Sequence, residues 1–201
     1  IEDQGKLAGE LKKQILDAQT LVVVEDLYRP YRPKRRTRAT IAKEKGLEPL
    51  ANLILLQKMT ETPLEEAKKY INPEKEVNTA EDALNGAKDI LAESVSDNAD
   101  FRTHIRELTM KHGQLLSAAK DPEAESVYEM YYEFSESLSK LAGHRILAIS
   151  RGEKEKFLTV KIDAPVDRIL SYLDRKLITA PSAPTAAVLH EVTEDAYNRL
   201  I

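Results

Sequence analysis

The 201-residue chain has no cysteine and no tryptophan, and only three phenylalanines and seven glycines. Without cysteine there is no disulfide framework and no thiolate nucleophile, a composition that fits a cytoplasmic protein. The longest apolar-leaning stretches, residues 21–24 and 53–56, fall far short of the roughly 20 residues a membrane-spanning helix needs. No charged-then-apolar leader precedes a cleavage site, so no membrane partner is expected. No glycine-rich loop is present to cradle a phosphate. Arg151-Gly152-Glu153-Lys154 holds a single glycine and reads as a charged turn.

A hydrolytic or metal site needs converging ligands. The four histidines are His104, His112, His144 and His190. His104 and His112 lie eight apart and can share a helical face, but no carboxylate sits between them in a zincin arrangement. Asp17, Glu25 and Asp26 read as a salt-bridged face. The chain is therefore read as a non-enzyme, with no cofactor, no metal and no catalytic residues.

Charge is abundant, at 32% of residues, and unevenly placed. In Tyr28-Arg29-Pro30-Tyr31-Arg32-Pro33-Lys34-Arg35-Arg36-Thr37-Arg38, six of eleven residues are basic and none is acidic. The rest of the chain sets 24 basic against 34 acidic residues, a net charge of −10. Such a run meets a phosphate backbone, an acidic partner, or acidic surface of its own protein. In the first reading Tyr31, Arg32, Lys34, Arg35, Arg36 and Arg38 form a nucleic-acid contact. The arginine forks and the lysine point charge sit on phosphates, and Tyr28 and Tyr31 stack on bases. In the second, at least two of the arginines pair with the protein's own carboxylates or with neighbouring domains. Pro30 and Pro33 predict an extended strap in either case.

Helical period dominates the rest. Leu7, Leu11 and Ile15 recur at i, i+4, i+8, and 21–28 reads as a short second helix. Thr37 is a cap and Gly46 a stop. Thr62-Pro63-Leu64-Glu65 is a start signal, with a cap, Pro at the first helical position and an acid at the third. Thr79-Ala80-Glu81-Asp82 is another, opening the longest helical tract. Asp97 or Asn98 caps a further helix that Gly113 ends. A helix from Asp121 is expected to carry Tyr128, Tyr131 and Tyr132, with a turn over 135–141. Next come a helix over 141–150 ended by Gly152, one over 166–177, and a last one from Val188.

Residues 157–162 alternate as a strand does, the one convincing β signal, and its partner is not evident. The expected fold is mainly α: an irregular multi-helix array with at most one small β element near 157–162. It is read as one helical scaffold region over 1–201, with a sub-boundary near 73–79 and a hinge at 179–187. Because it starts at Ile1 and ends inside a helical pattern, it reads as a segment of a larger protein, cut at both ends.

Several ordered blocks carry a resemblance. They are residues 1–7, the block Glu25 to Ala39 that contains the basic run and its continuation Ala42 to Ala51, residues 80–92, His144 to Ile149 with Arg151-Gly152-Glu153, and Asp195-Ala196-Tyr197 with Arg199-Leu200. Together they resemble the bacterial Tex family of transcription accessory proteins, specifically its N-terminal helical region. The resemblance implies a multidomain nucleic-acid-binding protein. Its RNase-H-like, helix-hairpin-helix and S1 parts lie outside this chain. It implies for this chain a helical scaffold or docking role, with RNA or DNA bound through other domains. The implied partners are the rest of the parent protein, RNA or DNA, and transcription machinery. The alternative is an autonomous nucleic-acid-binding module using the run at 29–38.

Overall fold

The computed structural model describes residues 1–32 and 36–200. These fall into two compact units, one made of residues 1–103 and 170–201, the other of 104–169. The expected mainly helical fold with a small β element is what forms.

The first unit is helical. Its elements are α1 (Gly9–Asp17), α2 (Leu21–Tyr28), α3 (Arg38–Glu44), α4 (Glu48–Leu56), α5 (Pro63–Ala67) and α6 (Ala80–Asp97), with α10 (Ala186–Asn198) near the C-terminus. Their starts follow local chemistry. The hydroxyls of Thr37 and Thr62 accept from the amides of Thr40 and Glu65, each satisfying an amide that the first helical turn leaves open. At Thr62 only the hydroxyl half of a capping box forms, and the Glu65 carboxylate accepts from Lys68 Nζ at 2.7 Å. At Thr79 both halves of the box form. Its hydroxyl accepts from Asp82 N, and the Asp82 carboxylate accepts from Thr79 N at 3.0 Å. Gly46 closes the chain after α3 at φ +83°, a left-handed value that costs other residues more.

α6 is the central helix, packed on α3, α4, α5 and α10. Its buried face includes Ala80, Ala83, Ala87, Ile90, Leu91 and Val95. The small alanines let neighbours approach closely. A Cβ on Gly86 would collide with the Leu47 side chain and lie 3.3 Å from Ala42 Cβ. α10 answers with Leu189, Val192, Ala196 and Tyr197, spaced i, i+3, i+7, i+8 as one apolar stripe requires.

Gln57 ends α4 in a left-handed conformation, and its buried amide is fully used. Nε2 donates to Leu177 O at 2.7 Å and Leu55 O at 3.3 Å, and Oε1 accepts from Thr179 N and Ala180 N at 2.9 and 3.0 Å. One side chain thus secures the segment between α9 (Val166–Leu177) and α10.

The second unit is a sheet with a helix on it. After α7 (Ala99–His112) come β1 (Gln114–Ala119), β2 (Glu133–Ser137), α8 (Gly143–Lys154) and β3 (Leu158–Asp163). The order is β2-β1-β3 and both pairings are antiparallel. Leu115 pairs with Glu136 and Ile162, and Ser117 with Phe134 and Val160. Since side chains alternate faces, Leu115, Phe134, Leu158 and Val160 share one face. Together with Tyr128, Tyr131 and Ile149 they form the core. Full burial of a Leu158-sized side chain contributes about 1.5–3 kcal/mol.

Four expectations are corrected. The tyrosine stretch is not a helix. Tyr131 sits in a 3-10 turn (Glu129–Tyr131) leading into β2. The i, i+3, i+4 spacing of Tyr128, Tyr131 and Tyr132 imitates a helical stripe, but here the rings converge on a sheet. The turn expected over 135–141 begins instead as β2. Gly152 does not end a helix but lies inside α8, where a Cβ would stand 2.7 Å from Leu158 Cδ1, so the helix and β3 approach closely there. Last, Arg29–Tyr31 forms a 3-10 turn rather than an extended strap, since Pro30 occupies a first-turn position, where its missing N–H costs nothing.

Candidate nucleic-acid interface

The basic segment leaves α2 through the 3-10 turn and re-enters helix at α3. Its course is pinned at both ends. Arg32 N donates to Tyr28 O at 3.1 Å, and Gln4 Nε2 donates to the half-buried Tyr31's carbonyl at 3.1 Å. Thr37 caps α3 on the far side. Lys34 and Arg35, with Pro33, lie outside the described residues.

Three of the run's arginines pair with carboxylates of this chain. Arg29 Nε meets Asp97 Oδ1 at 3.1 Å. Asp97 is the last residue of α6, where the helix dipole disfavours a negative charge; the guanidinium offsets that. Nearby, Arg102 Nε meets the buried Asp26 at 2.7 Å, and its Nη1 donates to Ser96 O at 3.1 Å. Arg38 approaches Asp89 at 3.4 Å and Asp195 at 3.7 Å. Those aspartates are shared with Arg199, at 2.5 and 2.6 Å. Burial works against the charge on Arg199, but hydrogen bonds and charges from Asp195 and Asp89 outweigh it and raise its pKa. The group ties α3, α6 and α10 together. Arg36 pairs with Glu44 at 2.9 Å; both are well exposed, so the pair is worth about 0–1 kcal/mol. Arg32 is exposed and makes no ion pair among the described residues.

Thus the structure brings Arg29, Arg36 and Arg38 onto carboxylates and leaves Arg32 open. Sequence reasoning missed the acceptors Asp89, Asp97 and Asp195 and the second cation Arg199. They stand tens of residues away, and no local pattern marks them. Asp26 was singled out as part of a salt-bridged face, and Arg102 is its partner. Beside Arg38 a cleft of about 230 Å³ opens between α3 and α6, lined in part by Lys45, Asp82, Asn85 and Asp89. It is smaller than an ordinary small-molecule site. Among the described residues no group of three or more His, Asp or Glu is placed to hold a metal. No helix among them is long and apolar enough to cross a membrane.

Comparison with known proteins defines the class. Residues 58–191 match the family described as Tex central region-like, and the chain belongs to the Tex family. The match corrects the expectation of an N-terminal region. Helical period and caps locate helices along a chain but carry no information on where the segment sits in a longer protein.

Among individual relatives, the chain is 48% identical to "Uncharacterized protein YdcI" of Bacillus subtilis over all of its own length and 28% of that protein. It is 40% identical to "Protein tex" of Bordetella pertussis, over 96% of the chain and 26% of the relative. It is 31% identical to human "S1 RNA-binding domain-containing protein 1", over 100% of the chain and 21% of the relative. The chain therefore spans about a quarter of the length of the curated relatives it matches. Neither the family nor these relatives is named for an enzymatic reaction.

Proposed function

We propose that this chain is a helical scaffold and docking region of a transcription accessory protein, and that nucleic acid is held mainly by other domains of that protein. The observation that carries this reading is the engagement of Arg29 and Arg38 by Asp97, Asp89 and Asp195. These carboxylates compete with a phosphate for the same guanidinium donors, Asp97 at Arg29 and both Asp89 and Asp195 at Arg38. The names of the relatives support the same reading. One is a "Transcriptional accessory protein Tex" and another is named for an S1 RNA-binding domain. On this reading the partners are the remaining domains of the parent protein, RNA or DNA, and the transcription machinery, in the cytoplasm. Arg38→Glu tests it. Thermal stability should fall while affinity for single-stranded RNA stays unchanged. Unchanged stability with lost affinity would place the basic run in the binding site.

The second reading is an autonomous module in which Arg32, Lys34, Arg35, Arg36 and Arg38 contact phosphates and Tyr31 stacks on a base. The exposed Arg32, without an ion pair among the described residues, favours it. If it holds, Arg32→Ala weakens binding alike across sequences and lowers the salt slope by about 0.7 on a single strand.

A further inference from the structure

The second unit holds two cations and an imidazole gathered at the ends of two helices. Lys111 and His112 end α7, and Arg168 lies in the first turns of α9. All three are exposed. Arg168 Nη1 stands 3.5 Å from His112 Nε2. Neither Arg168 nor Lys111 makes an ion pair among the described residues, which is common for the exposed cations of this unit; what sets this pair apart is the imidazole that Arg168 reaches. Two acids lie close in sequence, Asp163 at the end of β3 and Asp167 beside Arg168. Desolvation, then Arg168, then Lys111 push the His112 pKa down, and no carboxylate opposes them. The ring is thus held in a locally positive field. The C-terminal end of α7 favours positive charge at Lys111 and His112, and among the described residues no carboxylate pairs with Lys111 or Arg168, so the two cations beside the imidazole are open to an external anion.

We propose that Lys111, His112 and Arg168 form a phosphodiester-contacting patch that takes the backbone of single-stranded nucleic acid. A guanidinium fork and an ammonium match phosphate oxygens. The three groups lie exposed on the ends of two helices rather than in a closed cradle of amides. That openness suits successive phosphates of a polyanion better than one enclosed phosphate. His112 adds a pH dependence. A phosphate beside the ring offsets the field of its neighbours, so binding favours the imidazolium and tightens as pH falls. This site is separate from the basic run, and its failure would leave the scaffold reading standing, since that reading is tested by stability at Arg38.

The test is fluorescence anisotropy of the chain with a labelled oligouridylate, with inorganic phosphate as competitor. Arg168→Ala should weaken binding and lower the salt slope by about 0.7, and the double Lys111→Ala, Arg168→Ala change by about 1.4. Lys120→Ala, an equal loss of charge at the opposite end of β1, should leave both unchanged. The parent chain should bind more tightly as pH drops from about 7.5 to about 5.5, across the usual histidine range, and His112→Gln should abolish that change. Circular dichroism checks that each variant is folded. The proposal is overturned by no binding at low salt, by an equal loss with Lys120→Ala, or by an unchanged slope in a folded Arg168→Ala. Displacement by inorganic phosphate at concentrations that merely match the ionic strength supports the backbone reading. Displacement at far lower concentrations overturns it in favour of a free-phosphate site.

Discussion

The two units use different side chains to solve the same packing problem. In the helical unit the interior is aliphatic and small: Ala39, Ala42, Ala51, Ala83 and Ala87 stand among Leu47, Leu50, Ile54 and Leu189. In the sheet unit, aromatic rings do most of the filling. Tyr131 and Phe134 meet edge to face with centroids 5.3 Å apart, and Tyr128 tilts against Phe157 at 5.9 Å. The contrast follows from geometry. Helices crossing at short distance want small residues at the contact, whereas one helix over a three-stranded sheet leaves a wider gap, which rings fill with few rotamers to lose. The polar parts differ too. The helical unit is tied by shared aspartates under Arg38 and Arg199. In the sheet unit, Tyr128 Oη donates to Glu155 at 2.9 Å and Tyr132 Oη to Ser126 Oγ at the same distance.

The largest expected effect tests whether the small sheet core stands alone. Leu158→Ala should destabilise by about 2–5 kcal/mol. Amide exchange should rise across 104–169 well before it rises in α6. A uniform rise over both units would mean that they unfold as one. Next comes Gln57→Ala, which leaves the Thr179 and Ala180 amides and the Leu177 carbonyl without their partner. These groups are only part-buried, so the expected loss is about 1–3 kcal/mol in all; an unchanged melt would show that water replaces the amide cheaply.

The caps give a smaller effect with a pH signature. Thr79→Ala should cost about 1 kcal/mol. A hydrogen bond with the Thr79 side chain, then bonds from the amides of Asn78 and Thr79, hold the Asp82 carboxyl below the usual range. A carboxyl whose pKa is lowered by folding stabilises above its unfolded value, near 4, and that stability is lost as pH falls through the folded one. Asp82→Asn should therefore flatten the acid side of the stability profile. An identical acid limb in the two proteins would assign it to other carboxylates. Smallest is Arg36→Ala, whose exposed pair with Glu44 should change stability by no more than about 1 kcal/mol. A larger loss would mean that the basic segment is held more tightly than this pair accounts for.

The same contrast explains what was legible beforehand. In the helical unit, Thr37, Thr62 and Thr79 act on amides three residues away, so the cap and its partner appear together in the sequence. In the sheet unit only β3 alternates clearly. β1 reads Gln-Leu-Leu-Ser-Ala-Ala, with no β-branched residue, and owes its extended form to the two strands that flank it. The tyrosines of 128–132 carry a helical spacing that the sheet overrides. At the candidate interface, the density of positive charge was plain from Arg29 to Arg38. Which guanidinium was already occupied was not, because Asp89, Asp97 and Asp195 arrive from distant helices.

By itself, then, the sequence determined the helical character, the principal helix starts and the one basic run, since each rests on interactions within a turn or two of chain. Tertiary structure alone decided the rest. It completed the sheet around β1, placed Gly86 and Gly152 where neighbours approach closely, paired Arg29 and Arg38 with remote aspartates, and brought Arg168 to His112 with no ion pair to Arg168 or Lys111 among the described residues. Charge pairing and close packing depend on distance in space, and separation along the chain does not fix that distance.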